Sequence, residues 1–116
     1  MSSLDAVLDG VLTAPGVTGA VLVDGVTGTS YAAQGEAGAA QDAHRIASLA
    51  AVHLHRAGCE GEVESVVVTT RTSHHVTLRV QRQGDPLLLS AVLDRERVAL
   101  AWAMRDLTRH AETLLA

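Results

Sequence analysis

The chain has 116 residues, a formal net charge of −4, and 47% hydrophobic and 19% charged residues. That is the composition of one globular domain, spanning 1–116, with enough chain to bury a core of its own. Its single cysteine excludes an internal disulfide and a cysteine-rich zinc site, and no apolar run approaches the roughly 20 residues of a membrane span.

Met1 to Asp9 lacks the basic region of a signal peptide and carries Asp5 and Asp9, so a cytoplasmic protein is expected. All nine basic residues are arginine. Without lysine there is no Walker A loop, no Schiff-base chemistry and no Ser–Lys hydrolase. The negative balance, with Tyr31 and Trp102 the only aromatics, speaks against nucleic-acid binding.

The pattern predicts three helices and five strands in the order α-β-β-α-β-β-β-α. The first helix runs from about Ser3 to Thr13, with Leu4, Leu8, Val11 and Leu12 at helical spacing, Ser2 or Ser3 as cap, and Pro15-Gly16 as stop. Strand one, Thr18 to Asp24, is apolar on both faces and belongs mid-sheet. Asp24-Gly25-Val26-Thr27-Gly28 makes a hairpin connection to a more polar strand two, Thr29 to Gln34, suited to an edge.

A flexible-looking stretch, Gln34 to Gly38, leads to helix two, about Gly38 to Ala57, with Gly58 as a left-handed cap. Its core stripe is Ala43, Ile46, Ala47, Ala50, Leu54 and Ala57. Strands three (Glu62 to Thr70), four (His75 to Gln83) and five (Pro86 to Leu93) follow. Asp94 is then expected to cap helix three, about Arg95 to Leu114, with a core stripe of Leu100, Ala103, Met104, Leu107, Ala111, Leu114 and Leu115. The fold class is α/β (α+β): one five-stranded antiparallel sheet with helices on both faces, where helices one and three can share one face and leave helix two alone on the other.

Strand three raises a question of its own. Val66-Val67-Val68 is apolar on both faces, yet the strand begins a meander and can fall at an edge. An uncovered β-branched edge invites aggregation, and the simplest cover is the same strand of a second copy across a two-fold axis. The alternative is an internal strand in another sheet order.

With these elements in place, the chain resembles the roadblock family, the dynein light-chain relatives with a profilin-like core. The resemblance is carried by Leu4-Asp5-Ala6-Val7-Leu8, by Pro15-Gly16-Val17-Thr18-Gly19-Ala20-Val21-Leu22-Val23-Asp24, by Gly61 to Val68 and by Leu93-Asp94-Arg95-Glu96. It extends over nearly the whole chain and is nearest in style to small bacterial, often actinobacterial, members that accompany Ras-like GTPases. It implies a non-enzymatic homodimer, a regulatory adaptor that binds and modulates a small GTPase. In the family, strand three pairs with strand three, and the two central helices form the face that docks the GTPase. The dimer interface is accordingly assigned to Val66, Val67, Val68 and Thr70. Two other readings stand beside it: a structural dimerisation module of a larger membrane-associated complex, and a small-molecule sensor.

The partner face on helix two is assigned to Arg45, Leu49, Val52, His55 and Arg56, apolar residues framed by two arginines, a composition favoured at interfaces. No catalytic, cofactor or metal site is assigned. His74 and His75 are adjacent on a strand and point apart, while His53 and His55 lie roughly 200° apart around a helix. Cys59 has helical spacing to His55 but sits beyond Gly58, beside Glu60, whose charge opposes thiolate formation. The histidines are therefore expected at the surface or in a dimer interface. Trp102, flanked by Arg105 and Arg109, is expected to cover the first helix. The aliphatic core offers no set of polar residues converging on a pocket.

Overall fold

The elements follow in the expected order: α1 (Ser3–Leu12), β1 (Val17–Asp24), β2 (Ser30–Gly35), α2 (Ala40–Arg56), β3 (Ser65–Thr69), β4 (Ser73–Val80), β5 (Leu87–Asp94) and α3 (Leu100–Thr113). They are seen in a computed structural model that describes residues 3–36 and 40–113. Ser2, Gly38, Leu114 and Leu115, named above as cap, helix start and core, lie outside the described residues.

The strands form one antiparallel sheet in the order β2-β1-β5-β4-β3. β1 and β5 occupy its middle, the place their two-faced apolar character requires. β2 and β3 are the edges, so the internal placement of strand three is ruled out.

Alternation along each strand divides the core into unequal halves. Ala20 and Leu22 of β1 join Leu87, Leu89, Ala91 and Leu93 of β5 and Val76, Leu78 and Val80 of β4 under α1 and α3, which insert Leu8, Val11, Ala103, Leu107 and Ala111. The other face is thin. Val21, Val23 and Leu88 form its buried cluster, with Ala47 of α2 packed against them. Helices one and three thus share a face and α2 lies alone on the other, as the pattern predicted.

Three expectations are corrected. Helix three begins at Leu100, not Arg95. Asp94 still belongs to β5, opposite Ser73. Its Oδ1 accepts from Glu96 N–H at 3.0 Å and its carbonyl accepts from Arg97 N–H at 3.1 Å, so it caps a turn instead of a helix. That turn carries the chain out of the sheet and packs Val98 against Gly16.

Second, the stripe of α2 is only partly buried. Ala43 is in the core and Ala47 and Ala50 are half-buried, but Ile46, Leu54 and Ala57 are exposed. The C-terminal half of the helix has little support, with every residue from Ala51 to Arg56 exposed, and β3 is five residues long, shorter than the predicted Glu62 to Thr70. The helix nevertheless ends as expected at Gly58 (φ 81°), where Gly58 N–H bonds His55 O and Cys59 N–H bonds Leu54 O, the two bonds of a Schellman cap.

Third, His74 is not a surface residue. It is buried, and its Nδ1 lies 2.8 Å from Thr69 Oγ1.

Candidate functional site

The open part of the molecule is the corner where α2 overhangs β3. Backbone geometry sets what the β3 edge can do. Thr70 N–H donates to Ser73 O, and Arg79 N–H to Glu64 O, each at 2.8 Å. These bonds fix the phase of the ladder. Glu64, Val66, Val68 and Thr70 turn their peptide groups toward β4. Ser65, Val67 and Thr69 turn theirs outward, where no strand among the described residues pairs with them. The edge is uncharged over Ser65–Thr69, and Val67 and Val68 are 37% and 42% exposed. Among the described residues no charge or proline within the strand and no covering element guards it, which is unusual for a strand of this composition.

The side chains of Val66, Val68 and Thr70 face α2 and form one wall of a groove of about 480 Å³. Ala43, Ile46 and Leu49 of α2 form the other wall, and Glu36, Asp42 and Arg45 stand among the lining residues. His75, Thr77, Ser90 and Val92 complete it. Thr77 Oγ1 donates to Ser90 Oγ at 3.2 Å, and Ser73 Oγ lies 2.9 Å from His75 Nε2. This overturns the expectation that no polar residues converge on a pocket. The sequence signal was present in the alternation of β4, whose His75, Thr77 and Arg79 share one face. Only the sheet order shows that this face lies beneath a helix whose small side chains do not fill it.

The residues assigned to the partner face, Arg45, Leu49, Val52, His55 and Arg56, are all exposed. Arg45 and Leu49 also line the groove, whereas His55 and Arg56 sit on the overhanging end, away from it. Among the assigned interface residues, Val66, Val68 and Thr70 face the groove and Val67 faces the other side of the sheet. Sequence reasoning missed Arg79. It pairs with Glu62 at 3.5 Å and lines a smaller cavity under Ala47, Ser48 and Ala51, with its Nε buried and unbonded.

The expected cover of the first helix by Trp102 does not occur: Trp102 is 64% exposed. It lies on the solvent side of α3, opposite the buried Ala103, Leu107 and Ala111.

Away from this corner, Asp24 locks the β1–β2 turn. Its Oδ1 accepts from Thr27 N–H at 2.9 Å and Val26 N–H at 2.8 Å, and its Oδ2 accepts from Tyr31 O–H at 2.9 Å. Those bonds hold its carboxyl below the ordinary carboxylate value, and the same carboxylate holds the Tyr31 hydroxyl above its own. This is turn chemistry. Among the described residues, no group of three or more His, Cys, Asp or Glu side chains is placed to hold a metal ion.

The architecture defines a class. A five-stranded antiparallel sheet in this order, with α1 and α3 on one face and a lone central helix on the other, is the roadblock fold. No family model and no curated protein matches the sequence. Solved structures do match the fold. The Roadblock/LC7 domain from Streptomyces avermitilis superposes with a TM-score of 0.83 at 22% identity, covering 97% of this chain and 95% of that one. The gliding protein MglB from Thermus thermophilus gives 0.76 at 20% identity, over 95% of this chain and 84% of that one. MglC from Myxococcus xanthus gives 0.63 at 16%, over 97% of each chain. The roadblock resemblance read from the sequence therefore holds for the fold.

Proposed function

We propose that the chain is a homodimeric, non-enzymatic regulatory adaptor that docks a Ras-like small GTPase on its α2 face. The observation that carries this is the pairing of an unguarded β3 edge with an exposed, arginine-framed helix on the same side of the sheet. The opposite face is sealed by α1 and α3. The roadblock fold and the resemblance to bacterial members that accompany GTPases supply the partner class.

The edge fits a second copy. Antiparallel pairing about a two-fold axis at Val67 matches Val67 with Val67 and Ser65 with Thr69 of the other copy, using every outward-facing peptide of β3. An axis perpendicular to the sheet keeps both α2 helices on one face. Arg45, Leu49, Val52, His55 and Arg56 of the two copies then make a continuous surface. Arginine suits the acidic and phosphate groups of a nucleotide-bound partner.

The test is capture of partners by the tagged chain from lysate of its source organism, with GDP or a non-hydrolysable GTP analogue present. A small GTPase enriched in one nucleotide state supports the regulatory reading. Equal recovery in both states supports a scaffold, and strong recovery of another protein without a GTPase overturns the proposal in favour of a structural module.

The groove favours a second reading, a small-molecule sensor. Its volume and its few polar groups on apolar walls suit a small ligand. Thermal-shift screening separates the two, since a ligand that binds the folded state raises the midpoint.

A further inference from the structure

Among the described residues, Trp102 is the most exposed of the large hydrophobic side chains and lies across the sheet from those of α2. Its surroundings are organised. The Arg105 guanidinium lies 5.7 Å from the indole centroid, a stacked cation–π contact. Arg109 follows one turn later on the same strip of helix, since positions 102, 105 and 109 share a face. Among the described residues, neither guanidinium has a carboxylate within ion-pair distance, and the indole N–H has no acceptor. One large apolar ring and three unfilled donor groups are thus presented together. The buried residues that anchor α3, Ala103, Leu107 and Ala111, lie on its other side.

We propose that the Trp102–Arg105–Arg109 strip is a second docking surface, for an acidic segment of a partner protein that offers carboxylates around an apolar side chain. Trp and Arg are the residues that dominate binding energy in protein interfaces, and a desolvated carboxylate is the natural complement of an unpaired guanidinium. An anionic membrane is the weaker fit. Adsorption of that kind relies on four to eight clustered cations, roughly, whereas this strip has two, with Asp106 and Glu112 beside them and a chain net charge of −4. The strip faces away from α2, so the protein has the geometry to hold two partners at once. This proposal does not depend on the identity of the α2 partner.

Trp102 is the only tryptophan, so its fluorescence reads the site directly. The probe is a synthetic peptide alternating glutamate with leucine, titrated beside its glutamine counterpart and beside vesicles of phosphatidylglycerol and phosphatidylcholine. The expected result is a saturable blue shift with protection from acrylamide, below about 1 mM glutamate peptide. Affinity falls at least about tenfold for the glutamine peptide and for Arg105→Gln with Arg109→Gln, a loss of about 1.4 kcal/mol. Arg109→Gln alone gives a smaller loss, and Arg45→Gln with Arg56→Gln leaves the titration unchanged. Circular dichroism checks that each variant keeps the fold. The proposal is overturned by absence of a saturable shift, by equal binding of the glutamine peptide, by indifference to the arginine substitutions, or by a shift with vesicles alone.

Discussion

Replacing Val67 by proline separates the dimer seam from the fold. Proline removes one backbone N–H and fixes φ near a value that an edge strand accepts. The phase of the β3–β4 ladder turns the Val67 peptide outward, so no bond to β4 is lost. In the dimer proposed above, Val67 pairs with itself across the axis, and one substitution removes both N–H···O bonds of that pair. Each is worth about 0.5–1.5 kcal/mol net. The loss of about 1–3 kcal/mol raises the dimer dissociation constant about five- to 150-fold. Val66→Pro is the control. Its peptide faces Thr77 of β4, so it breaks a ladder bond within the chain and lowers the thermal midpoint of the monomer itself. Sedimentation velocity over a concentration series reads the first effect and thermal unfolding of dilute protein reads the second. A wild-type chain that stays monomeric, or a Val67→Pro dimer as tight as the wild type, would refute the seam.

Leu107→Ala, at a fully buried position beneath α3, is expected to cost about 2–5 kcal/mol in urea unfolding, while Trp102→Ala stays within about 0.5 kcal/mol. A large loss at Trp102 would show that the indole supports the fold after all. Gly16→Ala should destabilise by more than about 2 kcal/mol, because its φ is +83° and a Cβ there would lie 2.7 Å from Val98 Cγ1. A thermal midpoint matching the wild type would contradict that close packing. Asp24 has a folded-state pKa below its ordinary value, so its contribution is complete above about pH 4 and fades as pH falls through the folded value. Asp24→Asn should therefore melt below the wild type near neutral pH, with the gap closing in acid. A gap that does not change with pH would assign the effect to something other than this ionisation.

Much of this architecture was legible in the residues, for physical reasons that differ from element to element. Gly19-Ala20-Val21-Leu22-Val23 is apolar at every position, and only a strand covered on both faces tolerates that, which placed β1 in the middle. Polar β2 read as an edge, and the Val66-Val67-Val68 run posed the covering problem that the observed edge position makes concrete. Boundaries were less legible. Asp94 has the chemistry of an N-cap, but its backbone was already committed to β5, and a turn with the same carboxylate geometry took the place of the first turn of the helix.

Helix two shows the deeper limit. Periodicity tells which side of a helix faces the sheet, but it cannot tell how far the sheet extends beneath it. The residues do, however, contain the asymmetry between the two faces. The stripes of α1 and α3 bring Leu8, Val11 and Leu107 into the core, side chains long enough to fill the space over a pleated sheet. The α2 stripe brings Ala43, Ala47 and Ala50, which allow close approach over two turns and leave volume on either side. Ile46, Leu49, Val52 and Leu54 stay exposed on that helix. An alanine-lined helix cannot seal a sheet face alone. Here the same choice of residues yields a thin core, a groove beside β3 and an apolar surface that no other described residue covers. For a face of that kind, association completes a layer that the monomer leaves unfinished.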